Sequence, residues 1–396
     1  MRITIRRGDT LWYVSQLFNV PLQLLIDSNP NVNPQSLAVG KEIDVPGYIT
    51  ESYTIKSGDT FWEIATRRRL SLETLLRANP RMDPLRLRVG ETIRIPVRVT
   101  DLVVNWRTQY DYETLTRDIN RLVDIYPFLR RNRAGNSVMG KEIAELRIGN
   151  GPKNVHFDGS FHANEWTTTP MLMRFVNEYL IALTNRGTIR GLYMAPFYSE
   201  TSLSVVPMVN PDGVNLVIHG LPDQEPYRSQ VLRINNGSTD FSGWKANING
   251  VDLNDQFPAR WYIEARRREQ QPSPANYPGT APLTEPEAQA IARLTRERNY
   301  NRVLAFHTQG EVIYWGFLGY EPPESRVLVN EFSRVSGYRA VRYVDSYAGY
   351  KDWFIQEWRR PGFTVEMGTG PKPIPLGQFA EIYQENLGIF LASLYM

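Results

Sequence analysis

Among 396 residues the chain carries 4 histidines and no cysteine, so a bound transition metal has to be held by imidazole and carboxylate rather than thiolate. One histidine lies in the run Phe161-His162-Ala163-Asn164-Glu165-Trp166. A His-x-x-Glu pair at the mouth of a helix can set a ring nitrogen and a carboxylate oxygen on one ion, a donor set that suits Zn2+. By itself the pair says little, since chance produces it in about a quarter of chains with this many histidines. A third ligand is offered by His307, which ends the apolar run Val303-Leu304-Ala305-Phe306. Three protein ligands with a fourth position left for water are what a hydrolytic zinc site needs. In Phe363-Thr364-Val365-Glu366 a carboxylate closes another apolar run. Burying it is unfavourable unless it is paired or working, and a base of raised pKa beside an attacking water is the work available. The expected chemistry is zinc-assisted hydrolysis, with His162, Glu165 and His307 on one Zn2+ per chain and Glu366 as the base.

These residues need elements to position them. Strand-like runs at 143–148, 155–158, 203–209, 303–306, 311–315 and 362–366 alternate with helix-like runs at 168–183, 285–299, 325–336 and 378–394. Such alternation predicts an α/β domain with a largely parallel central sheet, whose sites gather at the carboxyl ends of the strands. Residues 220–237 and 271–283 read as long loops.

Composition narrows the remaining choices. With 42% hydrophobic and 22% charged residues the chain lies far from the disordered corner. The net charge is +3, and the basic runs at Arg67 to Arg69 and Arg266 to Arg268 are too short to track many phosphates, so no nucleic-acid partner is expected. No apolar run of about 7–15 residues follows the N-terminus and no ~20-residue apolar span occurs. A protein with no membrane span and no signal peptide is expected, cytoplasmic or released by lysis.

An internal repeat organises the first hundred residues. At an offset of 50 residues Gly8-Asp9-Thr10 recurs as Gly58-Asp59-Thr60, Trp12 as Trp62, Asn29-Pro30 as Asn79-Pro80 and Val39-Gly40 as Val89-Gly90. Each copy reads as a β-branched strand (3–5; 53–55), a turn whose Asp or Thr caps a helix, apolar positions at helical spacing and a closing strand (43–45; 93–95). This βααβ unit resembles the LysM module. The resemblance implies binding of N-acetylglucosamine-containing glycans in a shallow groove built from Gly8, Asp9, Thr10, Leu11, Asn29 and Pro30, and from Gly58, Asp59, Thr60, Phe61, Asn79 and Pro80 in the second copy.

The remainder resembles the zinc carboxypeptidases, the carboxypeptidase A-like fold, through six ordered motifs. They are His162-x-x-Glu165-Trp166, Val209-Asn210-Pro211-Asp212-Gly213, Gly250-Val251-Asp252-Leu253-Asn254, Thr284-Glu285-Pro286-Glu287, His307 and Thr364-Val365-Glu366. The resemblance implies a mixed eight-stranded sheet with flanking helices and a tyrosine on a loop near the site, for which Tyr347 matches best and Tyr350 competes. The implied division is a first module at 1–48, a second at 49–98 and a peptidase domain at 99–396.

Two departures alter the expected substrate. Where the carboxypeptidases follow Gly-Val-Asp-Leu with Asn-Arg, the Arg clamping a terminal carboxylate, this chain has Asn254-Asp255. The position that polarises the carbonyl falls on Lys245, which keeps the charge and loses the planar fork. An anion at Asp255 repels a C-terminal carboxylate and suits an amino group. With modules that grip peptidoglycan, the pattern resembles the bacterial γ-D-glutamyl-L-diamino acid endopeptidases, which implies cleavage of stem peptides between D-Glu and meso-diaminopimelate or Lys, an activity tied to the cell wall and sporulation. The alternatives are a metallocarboxypeptidase releasing basic or diamino residues and a non-catalytic wall- or chitin-binding protein.

Overall fold

The computed structural model describes residues 1–396, and the chain forms two compact units. One comprises Met1–Val103, Asp118–Arg130 and Val176–Pro196; the other comprises Val104–Arg117, Arg131–Phe175 and Phe197–Met396. No helix is long and apolar enough to cross a membrane.

The repeats belong to the first unit. In the first copy strands Arg2–Thr4 and Glu42–Asp44 pair antiparallel around helices Leu11–Leu17 and Leu22–Asp27. In the second copy Tyr48–Thr54 and Thr92–Arg98 enclose helices Phe61–Arg67 and Leu72–Ala78. Thr10 and Thr60 cap the first helix of each copy through their side chains, which satisfies a backbone N–H that a helix start otherwise leaves orphaned. Gly8 and Gly58 sit at φ +88° and +84°, where a Cβ is strained. Each copy closes a small core, Ile3, Val14, Leu25, Ile43 and Val45 in one and Ile55, Phe61, Ile64, Leu75, Ile93 and Ile95 in the other. The second copy's strands run longer than the expected 53–55 and 93–95. The chain joining the repeats is itself extended, and Tyr48 to Ser52 pair with Arg94 to Arg98.

The second unit is built on an eight-stranded sheet. Its strands are β1 (Arg130–Asn136), β2 (Glu142–Ile148), β3 (Lys153–Gly159), β4 (Thr201–Val206), β5 (Arg302–His307), β6 (Val312–Tyr314), β7 (Arg339–Val341) and β8 (Gly362–Glu366). The order is β7-β6-β8-β5-β3-β4-β2-β1. Strands β8, β5, β3 and β4 are parallel neighbours, whereas β2 is antiparallel to β4 and β6 to β8. The expected parallel sheet is thus its centre, and the whole is mixed. Every residue of β4 and β5 is buried, as strands with both faces covered must be.

Two further expectations are corrected. Residues 220–237 contain the helix Tyr227–Ile234, whose buried Val231 joins Leu216, Phe241 and Trp244 with Tyr227 and Ile234 packed beside it; these three positions keep helical spacing, but over so short a helix the signal is easily missed. The strand expected at 203–209 is Thr201–Val206, because the chain leaves the sheet at Pro207 and Asn210 caps the helix Pro211–His219. Helices Tyr112–Ile125 and Tyr350–Trp358 and strand β1 were not anticipated.

Candidate metal centre

Parallel pairing of β3, β5 and β8 carries the four candidate residues to one end of the sheet. His307 and Glu366 are register partners at the last rungs of β5 and β8. Strand β3 ends in a tight turn at Ser160, φ +52°, whose backbone N–H donates to Thr168 Oγ1 at 2.8 Å. The same hydroxyl donates to Glu165 O at 3.0 Å. The start of helix Thr168–Thr184 therefore holds the turn that carries His162 and Glu165.

The three ligand candidates converge. His162 Nδ1 lies 2.9 Å from Glu165 Oε1, His307 Nδ1 lies 2.9 Å from Glu165 Oε2, and the two Nδ1 atoms are 3.1 Å apart. All three residues are buried. Tetrahedral zinc with ligands at ~2.0–2.1 Å spaces its donor atoms about 3.3 Å apart, so this cluster needs only a slight expansion to hold one ion. A second row supports it. His162 Nε2 faces Asp252 Oδ1 at 3.1 Å, which turns the Nδ1 lone pair inward. Asp252 Oδ2 receives Lys245 Nζ at 2.8 Å. Although burial opposes its charge, Asp252 stays well below the usual carboxylate range because Lys245 and His162 stabilise the anion. Lys372 Nζ donates to Glu165 Oε1 at 2.6 Å, and Thr308 N to Oε2 at 3.2 Å. His307 Nε2 is buried without a hydrogen-bond partner.

Glu366 has the character of a base. Burial pushes its carboxyl up to about 7, with His307 opposing and Glu165 adding to the rise. A carboxylate poised there can accept and return a proton near neutral pH.

A zinc carboxypeptidase family model matches residues 115–387, a span that contains all four of these residues. The chain belongs to the zinc carboxypeptidase family. It is a zinc metallopeptidase, and LysM domains match residues 3–46 and 53–96. Gamma-D-glutamyl-L-diamino acid endopeptidase 1 of Lysinibacillus sphaericus is 64% identical over 396 residues, covering 100% of both chains. Among solved structures, bovine thrombin-activatable fibrinolysis inhibitor in complex with tick carboxypeptidase inhibitor aligns with TM-score 0.56 and 17% identity over 73% of this chain and 97% of its own. Carboxypeptidase A from Helicoverpa armigera aligns with TM-score 0.56 and 15% identity over 84% and 80%. Both share the fold.

Within this zinc carboxypeptidase the remaining expected residues fall in different places. Lys245 reaches the centre through Asp252. Asn254 Oδ1 accepts from Tyr350 N at 3.3 Å and so helps to start the helix Tyr350–Trp358. Asp255 is buried, and burial together with Asp252 pushes its carboxyl up to about 8. Tyr347 lies on the segment before that helix, half-buried, with its ring edge-on to Phe317 and under the Arg267 guanidinium. It lines a surface cavity of about 440 Å3 with Tyr343 and Asp345. Tyr350 is corrected: it is fully buried among Phe161, Phe257 and Trp353, and its hydroxyl is within 2.9 Å of Thr295 Oγ1. A ring inside the core is out of a substrate's reach.

In the repeats, Leu11 and Phe61 are core residues and Asn29 and Asn79 are buried. Asn29 Nδ2 donates to Leu25 O and Asp44 O, and Asn79 Nδ2 donates to Leu75 O and Arg94 O. These four side chains hold the module together. Gly8, Thr10, Pro30, Gly58, Thr60 and Pro80 stay exposed, and Asp9 and Asp59 accept from Arg6 N and Lys56 N. The motif reading passed over the exposed Trp12 and Trp62, whose matching repeat positions were the available signal. It also passed over Lys372, which sits on a Gly- and Pro-rich loop with no periodic pattern.

Proposed function

We propose that the chain hydrolyses peptidoglycan stem peptides at the bond between the γ-carboxyl of D-glutamate and a diamino acid, meso-diaminopimelate or lysine, while its LysM modules hold N-acetylglucosamine-containing glycan. The single observation that carries the substrate class is the carboxylate Asp255, buried in the turn that follows the His162 partner Asp252. In place of a fixed cation it gives a bare terminal carboxylate no clamp, and an ammonium group entering beside a carboxyl pushed up to about 8 favours its ionised form.

His162, Glu165 and His307 would hold zinc, which when bound polarises a carbonyl and makes water nucleophilic at neutral pH. Asp252 keeps the His162 proton on Nε2. Glu366 takes a proton from the attacking water on its carboxylate and passes it to the departing amine nitrogen. Lys245 adds positive charge where the carbonyl oxygen becomes anionic, and Tyr347 borders the substrate. In the modules Trp12 and Trp62 offer exposed ring faces on which a sugar can stack.

Mass spectrometry of zinc-loaded protein incubated with L-Ala-γ-D-Glu-meso-diaminopimelate, free or C-terminally amidated, tests this reading. Release of L-Ala-D-Glu from both forms is expected. Removal of only the terminal residue from longer free peptides, with amidated ones untouched, makes the enzyme a carboxypeptidase instead. Absence of any hydrolysis with zinc bound overturns the catalytic reading altogether.

A further inference from the structure

Two ammonium groups stand at the metal centre, and they are held differently. Lys245 Nζ has a counter-ion of its own, Asp252 Oδ2 at 2.8 Å. Lys372 Nζ instead pairs with the metal ligand Glu165, whose Oε1 it meets at 2.6 Å. Glu165 is well supplied without it, since the same carboxylate meets His162 Nδ1 and His307 Nδ1 at 2.9 Å each and accepts from Thr308 N at 3.2 Å. The loop after β8 nevertheless sets Lys372 firmly in place. Gly310 N donates to Gly368 O at 2.8 Å and Gly368 N to Tyr338 Oη at 3.2 Å. Ile374 is buried close to Gly368, where a Cβ would press on its side chain.

A site built for a divalent cation is an unfavourable neighbour for an ammonium, because like charges close together repel strongly away from bulk water. A second anion offsets that repulsion. An ammonium carries three donors, of which Glu165 takes one, and the Lys372 side chain is 30% exposed, so it can still bond a group that enters the centre. The substrate supplies the anion. When D-glutamate is linked through its γ-carboxyl its α-carboxylate stays free, at the end of a short chain about 5 Å from the scissile carbonyl carbon. We infer that Lys372 receives this free α-carboxylate and so selects an acidic acyl residue over a neutral one. The inference rests on the peptidase reading above and extends it from the leaving amine to the acyl side of the bond.

The two charge preferences then come from separate elements. Asp255 belongs to the turn Leu253–Asp255, whereas Lys372 stands on the loop that follows β8. Lys245 does not duplicate Lys372, since Asp252 already answers its charge. Lys372 meets the substrate at a charge remote from the bond that breaks, which makes it a specificity residue. A lysine that merely steadied Glu165 would act on every substrate alike.

Matched peptides test the inference on full-length zinc-loaded protein. L-Ala-γ-D-Glu-meso-diaminopimelate and its D-isoglutamine counterpart differ only at the α-carboxylate, free in one and amidated in the other. The wild-type ratio of their kcat/KM values is expected to favour the free acid by about tenfold or more, the contribution of one charge-assisted hydrogen bond. Lys372→Met should bring that ratio down toward one, chiefly through KM, and Lys372→Arg should keep part of it. A ratio of two rates on one preparation is insensitive to partial misfolding or partial zinc loading. Calorimetry with the products L-Ala-D-Glu and L-Ala-D-isoglutamine should show the same preference in wild type and its loss in Lys372→Met. A wild-type ratio near one overturns the inference. So does a Lys372→Met variant that slows both peptides equally and holds zinc more weakly in chelator competition, which would make the lysine a support for Glu165 alone. Either result leaves the peptidase reading standing. If zinc-loaded wild type cleaves neither peptide, the peptidase reading has failed first and the inference falls with it.

Discussion

Asn29 in the first repeat donates its amide hydrogens to Leu25 O and Asp44 O and takes Asp44 N on its oxygen; Asn79 repeats the pattern with Leu75 O, Arg94 O and Arg94 N. In the catalytic unit His307 and Asp255, both singled out for chemistry, are just as buried, yet His307 Nε2 and Asp255 Oδ2 have no hydrogen-bond partner. Glu366 titrates near 7 because burial disfavours its charge. The two regions treat buried polarity in opposite ways. Where a motif completes its own hydrogen bonds, the repeated residues explain a fold; where two imidazoles and a carboxylate crowd one point, a cation is the partner that reconciles them. Spacing alone does not separate these cases, since Asn-Pro and His-x-x-Glu are equally distinctive as strings.

The contrast can be broken most readily at Glu366. Glu366→Gln should lower kcat by about 10²–10⁴-fold while zinc content measured by atomic absorption stays at one per chain. Retained activity would mean that the buried carboxyl is structural after all. Asp252→Asn comes next, with an expected loss of about 10–100-fold in zinc affinity or activity, read by chelator competition. On the repeat side, Asn79→Ala leaves Arg94 N and two carbonyls short of a partner and should destabilise the second module by about 1–3 kcal/mol. Hydrogen exchange at residues 92–95 checks this, and kcat on a soluble peptide should not change.

The two repeats differ between themselves at the same Asp. Asp9 is bonded by Arg77 of the second copy, with Nη2 at 2.7 Å, whereas Asp59 is bonded by Arg67 of its own copy and by Tyr53 Oη at 2.8 Å. Burial opposes the Asp9 charge, but Arg77 and the Arg6 N–H outweigh it and hold the pKa below the ordinary value. A carboxyl with a lowered folded pKa contributes stability that is present above its unfolded pKa and lost as pH falls through the folded one. Asp9→Asn should therefore loosen the contact between the copies at pH 7, by roughly 1–2 kcal/mol, and make less difference at a pH below the folded pKa of Asp9. Hydrogen exchange of residues 6–10 and 73–78 at the two pH values reads the effect, the smallest of the set.

Much of this was legible before any coordinates. His307 and Glu366 stand out because each closes an apolar run, His162 and Glu165 because of their His-x-x-Glu spacing, and strand ends are where α/β sheets place their sites. The repeat spacing located both modules and their caps. What escaped did so for physical reasons. Lys372 reaches Glu165 from an irregular loop, where no period marks a face. Helix Tyr227–Ile234 packs only Tyr227, Val231 and Ile234 inward, a helical spacing too short to stand out between polar residues. Tyr350 begins a helix one turn beyond Tyr347, and only packing tells that its ring points into the core.

The central claim is that two imidazoles and one carboxylate clasp a single zinc ion. X-ray absorption at the zinc edge of the metal-loaded protein tests it directly. Two histidine nitrogens at ~2.0–2.1 Å and oxygen donors completing the shell, with the ion lost in His307→Ala, are the expected result. A shell with fewer than two imidazoles, or one unchanged by that substitution, would contradict the account.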